Sequence, residues 1–138
     1  MPGMEAASSY ADLRRQEAVS AKRLYAIDAR CTPDSPVGEV GRLTEIAVDA
    51  VAAGGGHVLD ASHVIFPNGA ITLVLILAES HLSIHTWPEE DLIAIDLFSC
   101  GAIDGEKVIS HLTRSLRLTS VTVTAVERGR PGVQNSSR

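Results

Sequence analysis

The sequence predicts an α+β fold: a two-layer α/β sandwich with a largely antiparallel sheet and helices on one face. Three observations carry that reading. The elements run strand, helix, three or four strands, helix, strand, an order that suits helices gathered on one side of an antiparallel sheet. Two segments repeat apolar residues at helical spacing, whereas others alternate or run apolar over strand lengths. Turn chemistry at Pro67-Asn68-Gly69 joins two of the strands as a hairpin.

Taken in order, Lys22 to Asp28 alternates weakly and reads as the first strand, and Pro33 with Ser35-Pro36 supplies a turn and a helix start. From Val37 to Ala53, the residues Val40, Leu43, Ala47, Ala50 and Val51 form one inward stripe. Gly54-Gly55-Gly56 follows that helix. Phosphate loops precede a helix, so this glycine run is a C-cap and loop. His57 to Phe66 is a second strand. Ala70 to Ala78 is apolar on both parities, which predicts a central strand covered on both faces, the second cover coming from a partner subunit. Leu82–Thr86 and Leu92–Phe98 give two more strands around a Pro88–Asp91 turn. Asp104-Gly105-Glu106 opens a helix whose stripe is Val108, Ile109, Leu112 and Leu116, with Arg114 and Arg117 near its negative end. Ser120 to Val126 alternates cleanly and closes the sheet.

This organisation predicts a mobile N-terminal extension over residues 1–21, a single domain over 22–127 and a flexible tail over 128–138. At 138 residues the chain can bury a core without metal or disulfide staples. A net charge of −5 argues against nucleic acid or an anionic membrane surface as partner. Small molecules and other subunits remain. The apolar run is far short of the roughly 20 residues that span a bilayer, and no cationic apolar leader opens the chain, so a cytoplasmic location is expected. In that compartment the two cysteines, Cys31 and Cys100, are read as thiols.

Polar chemistry is concentrated in Glu79-Ser80-His81-Leu82-Ser83-Ile84-His85-Thr86-Trp87-Pro88-Glu89. The spacing His81-x-x-x-His85 would let two imidazoles share a metal on a helix. Ile84, Thr86 and Trp87 favour a strand, however, and there the two positions lie roughly 13 Å apart at about 3.3 Å per residue. No metal site is therefore predicted. Ser80 has no Gly-x-Ser-x-Gly context, so a hydrolase elbow is unsupported as well. By itself, a lone serine is more often a solvated or capping hydroxyl.

That same stretch, together with Ile95-Asp96-Leu97-Phe98-Ser99-Cys100-Gly101 at the matching distance, resembles the bacterial-type S-adenosylmethionine decarboxylase proenzyme family, pyruvoyl-dependent enzymes of polyamine synthesis. The likeness runs from about Leu24 to Val126. It implies self-cleavage between Glu79 and Ser80, with Ser80 becoming a pyruvoyl group that forms a Schiff base with the substrate amine and accepts electrons as CO₂ departs. It also implies His85 as the processing acid/base, Thr72 as a hydroxyl assisting the same step, and Cys100 as the proton donor in turnover. Phe66, Trp87 and Glu89 fall at substrate-binding positions. The partners it implies are an amino-acid-type substrate, the chain's own cleaved fragment (1–79 with 80–138), and a second processed protomer in a homodimer whose subunits share active sites. Because Ser80 and His85 would point to opposite faces of a flat strand, the backbone is expected to bend near Glu79-Ser80.

Three segments depart from the family pattern. Arg23-Leu24, Ile27 and Ala29-Arg30-Cys31 replace its usual early residues, with Asp28 one position later than the expected acid. In His63-Val64-Ile65-Phe66-Pro67-Asn68-Gly69 the aromatic is displaced by one, and one residue is inserted between Gly69 and Ser80. A one-residue shift on a strand reverses the face of a side chain, so these changes bear on nucleoside binding. Arginine or ornithine is the alternative substrate, met by acids such as Asp28, Asp60, Glu89, Glu90 and Asp91. A non-catalytic binding or regulatory subunit is the alternative of another class.

Overall fold

The computed structural model describes residues 21–129. Six strands, β1 (Lys22–Cys31), β2 (Val58–Ile65), β3 (Ile71–Leu77), β4 (Ser80–Trp87), β5 (Leu92–Cys100) and β6 (Leu118–Arg128), form one sheet in the order β2-β3-β4-β5-β1-β6. Every neighbouring pair is antiparallel. Two helices, α1 (Val40–Ala53) and α2 (Gly105–Ser115), complete the two layers.

Period-two alternation decides what each strand gives to the core. Ile27 and Ala29 on β1, Ile71, Leu73, Leu75 and Leu77 on β3, Leu82 and Ile84 on β4, and Ile93, Ile95 and Leu97 on β5 are all buried. They form one cluster with Leu43, Ile46, Ala47, Ala50 and Val51 of α1 and Val108 and Leu112 of α2. Burying each large aliphatic side chain is worth about 1.5–3 kcal/mol, so this face holds the sandwich together. The opposite parity, including Thr72, Val74, His81, Ser83, His85, Ala94, Asp96 and Phe98, is only half-buried. Ile76 on that side is 48% exposed.

The helix ends follow their sequence signals with one adjustment. A short 3-10 turn over Pro36–Gly38 comes first, and α1 begins at Val40 instead of Val37 because the Glu39 carboxylate caps it, accepting from the Gly41 and Arg42 N–H groups. At the far end Gly54 caps α1. A Cβ at Gly54 would meet Val108 Cγ2 at 2.5 Å, and the Asp104 N–H donates to the Gly54 carbonyl at 2.9 Å. The glycine run therefore brings the end of α1 against the start of α2. Asp104 in turn caps α2 by accepting from the Lys107 N–H.

One expectation is corrected and one is sharpened. The apolar strand β3 is interior, as expected, next to the edge strand β2, and one of its faces is open in the single chain. Its two-sided apolar pattern thus exceeds what this chain alone can cover. The tail was expected to start at Arg128, yet Arg128 belongs to β6, paired with Lys22 and with its guanidinium carbon 5.5 Å from the centre of the Phe98 ring. Of the extension expected over 1–21 and the tail expected over 128–138, residues 1–20 and 130–138 lie outside the described residues. Strands β1, β4, β5 and β6 also run longer than their alternation suggested, because ladder pairing continues through less regular sequence at their ends.

Candidate active site

The β3–β4 hairpin carries the polar stretch. Leu77 pairs with Ser80, leaving Ala78 and Glu79 as a two-residue turn. Such turns normally hold a glycine at a positive φ inside the loop. This one has no glycine, and the positive φ, 149°, falls on Ser80. L side chains rarely enter that region, at a cost of about 1–3 kcal/mol. The bend expected near Glu79-Ser80 is therefore present, with the strain on the serine.

Glu79 is fully buried. A carboxylate without solvent contact needs close donors on its oxygens. Oε1 accepts from the His57 backbone N–H at 2.9 Å, and Oε2 lies 2.7 Å from His57 Nδ1. The Ala78 N–H donates to the His57 carbonyl at 2.9 Å, so one residue grips both members of the turn. Cys100 ends β5 at the same edge. The pairing of His81 with Phe98 sets the end of β5 beside the start of β4, and Cys100 is 4% exposed there.

The other predicted residues gather at the opposite end of the hairpin. Thr72 is directly across from His85, with Oγ1 3.2 Å from Nδ1. The His85 and Trp87 rings lie 6.3 Å apart. Phe66, Asn68, Thr72, His85, Trp87 and Glu89 line a hollow of about 430 Å³. Glu89 is steadied by the Asn68 amide at 3.4 Å, and the Asn68 carbonyl oxygen accepts from the Ala70 N–H. Phe66 lies past the end of β2, in the turn where its N–H donates to the Ala70 carbonyl. Outside a regular strand the face-reversal rule does not apply, and the displaced aromatic still borders the hollow. Trp87 and Phe66 are both substantially exposed, as aromatics awaiting a ligand or a partner surface would be.

Five residues of extended chain separate Ser80 from His85, about 16 Å at roughly 3.3 Å per residue. The predicted site residues thus fall into two groups: Glu79, Ser80 and Cys100 at one end, and Thr72, His85, Phe66, Trp87 and Glu89 at the other. His57 was missed by sequence reasoning. It reads as the start of a strand, and nothing in a local pattern signals a bond to a carboxylate 22 residues away. The second thiol, Cys31, lies half-buried beside Asp91, and burial, then the Asp91 charge, pushes it above the usual thiol range.

A family model described as S-adenosylmethionine decarboxylase matches residues 23–129. The chain belongs to the S-adenosylmethionine decarboxylase family. Among its relatives, the S-adenosylmethionine decarboxylase proenzyme of Symbiobacterium thermophilum is 35% identical over 82% of this chain and 86% of its own length. The corresponding proenzyme of Thermococcus gammatolerans is 32% identical over 76% of this chain and 74% of its own. The crystal structure of the adenosylmethionine decarboxylase from Aquifex aeolicus superposes with a TM-score of 0.72 at 23% identity, over 83% of this chain and 96% of that one. It shares the fold. S-adenosylmethionine decarboxylases of this kind are pyruvoyl-dependent carboxy-lyases made as proenzymes, the pyruvoyl arising from an internal serine by self-cleavage. Among the described residues no helix is long and apolar enough to cross a membrane.

Proposed function

We propose that Ser80 is the serine converted to pyruvoyl and that the processed protein decarboxylates S-adenosylmethionine. The observation that carries this reading is the strained φ at Ser80, directly after a buried, clasped glutamate in a two-residue turn. Relief of that strain favours breaking the Glu79–Ser80 peptide. The Ser80 Oγ attacks the Glu79 carbonyl carbon, the C–N bond breaks, and the hydroxyl proton passes to the released amine, leaving an ester. Removal of the Ser80 α-proton then expels the Glu79 carboxylate, and hydrolysis of the resulting enamine releases ammonia and leaves the pyruvoyl group. That group supplies an electron sink for the charge left as CO₂ departs.

Cys100, buried at the same edge, is the proton donor to the substrate α-carbon in this reading. A low-exposure thiol suits the task, because water is kept from competing. At the far end, Thr72 and His85 form a hydrogen-bonded hydroxyl–imidazole pair fit to move protons, and Phe66, Trp87 and Glu89 offer aromatic faces and an acid to a nucleoside with its positive sulfur. Within one chain this group is too distant to serve Ser80. A two-fold dimer across the open, partly apolar sheet face would bring the Thr72–His85 end of one protomer to the Ser80–Cys100 end of the other. A homodimer of processed protomers is therefore part of the proposal. Thiol cysteines fit work in the cytoplasm.

Intact-mass measurement of purified protein tests the first claim. Two fragments, 1–79 and 80–138, the second blocked by a pyruvoyl, are expected; a single uncut chain would overturn it and leave a non-catalytic role. CO₂ release from S-adenosylmethionine, arginine and ornithine measured side by side tests the substrate, and preference for either amino acid would overturn that part.

A further inference from the structure

We infer that His57 is a positioning residue of self-cleavage, which holds the Glu79 carboxylate so that the scissile carbonyl is presented to Ser80. The inference rests on Ser80 being the cleaved serine. Three contacts join His57 to the turn: backbone N–H to Glu79 Oε1, Nδ1 to Glu79 Oε2, and carbonyl from the Ala78 N–H. Together they hold the side chain of Glu79 and the Leu77–Ala78 peptide unit that leads into the turn. The Glu79 carbonyl, which the Ser80 Oγ must attack, lies between this held side chain and Ser80, itself paired with Leu77 in the ladder.

The asymmetry of burial sharpens the point. The Glu79 side chain is 0% exposed, whereas that of His57 is 52% exposed. A half-exposed imidazole contributes little to the core, so the pairing is not explained by packing. Without it, a fully buried carboxylate would lose one of its two donors, and the turn would rotate to bring that oxygen to water. Rotation of Glu79 moves its carbonyl out of line with Ser80. Misplacement of a reacting group by about 1 Å typically costs about 100-fold in rate. The clasp acts before the ester forms, because its object is the geometry of the intact peptide.

The test follows cleavage from synthesis, in a cell-free translation of the full chain sampled over time and read by intact mass. Wild type is expected to cut at Glu79/Ser80; if it does not, the Ser80 assignment fails, and this inference with it. If wild type cuts, His57→Ala is expected to cut roughly 10- to 100-fold more slowly, with a melting temperature lowered by several degrees but still well above the assay temperature. Hydroxylamine, which cleaves esters but not amides, is expected to leave the uncut His57→Ala chain intact. An accumulated ester would overturn the inference, because the clasp would then act on a later step. Cleavage of His57→Ala at the wild-type rate would also overturn it. Should His57→Ala not fold, the pair is read through Glu79→Gln and His57→Gln. Combined, these are expected to slow cleavage no further than the slower single variant, as for two residues acting through one contact. Full multiplication of their effects would reject it.

Discussion

The two ends of the β3–β4 hairpin are built in opposite ways. At the Ser80 end the chain turns in two residues, Glu79 has no exposure, and Cys100 is buried beside it. At the Trp87 end the connection is open, and the hollow between Phe66 and Glu89 is lined by exposed aromatics. One end is finished in a single chain and the other is not. Under the proposed function, the contrast places the cleaved bond in a turn built by one protomer and leaves the hollow at the other end for a second surface to complete.

Substitutions can break this contrast in order of effect. Ser80→Ala is expected to abolish cleavage completely, leaving one chain by denaturing gel; any cut at 79/80 would remove the hydroxyl from the chemistry. Next comes Cys100→Ala, expected to cleave normally but to lose about 100-fold or more in kcat, the size of a missing acid catalyst. Normal turnover by that variant would reject the proton-donor role. Trp87→Ala acts at the other end and is expected to cleave like wild type while raising KM about 10-fold, with a smaller change in kcat. Co-expression of Trp87→Ala with Cys100→Ala sharpens the comparison further. If sites are shared across a dimer, mixed pairs regain one intact site, and about one quarter of wild-type kcat/KM, measured at low substrate, returns by random pairing. No recovery would confine each site to one protomer.

The smallest effect belongs to the loop after β1, which neighbours Trp87 around a second, smaller hollow. There the Thr32 hydroxyl, and then the Arg117 guanidinium, hold the Asp34 carboxyl below its ordinary range. A depressed carboxyl contributes stability above its unfolded pKa, near 3.9, and loses it as pH falls through the folded value. Asp34→Asn is therefore expected to lower Tm slightly at neutral pH and to flatten the decline of Tm below about pH 4 in acid titrations monitored by circular dichroism. Activity should not change.

Legibility in the sequence followed the range of the interactions. Stripes such as Leu43, Ala47, Ala50 and Val51 report a local periodicity, and the structure buries them. The Pro67-Asn68-Gly69 turn and the Asp104 cap are likewise decided within a few residues. The position of β1 between β5 and β6 was not visible, because pairings such as Lys22 with Cys100 join residues at opposite ends of the domain. The same holds for His57 and Glu79, whose bond crosses from one loop to another. Ser80 and Cys100 were found through a motif resemblance rather than through periodicity, since a lone serine and a lone buried thiol carry no pattern of their own. What the motif did not reveal is that Thr72 and His85 stand at the far end of the strand from Ser80.

The strand order has a further outcome for the cut protein. A break between residues 79 and 80 assigns β1, β2 and β3 to one piece and β4, β5 and β6 to the other, and the sheet order interlaces them. The pieces meet along three seams: β3 with β4, β5 with β1, and β1 with β6. Neither can leave without tearing ladders on both sides of β1, so parting the pieces amounts to unfolding the molecule. Position 80, the new chain end, is half-buried at the start of β4. Under the proposed function, each molecule makes its prosthetic group once, on a strand that the other piece holds in place.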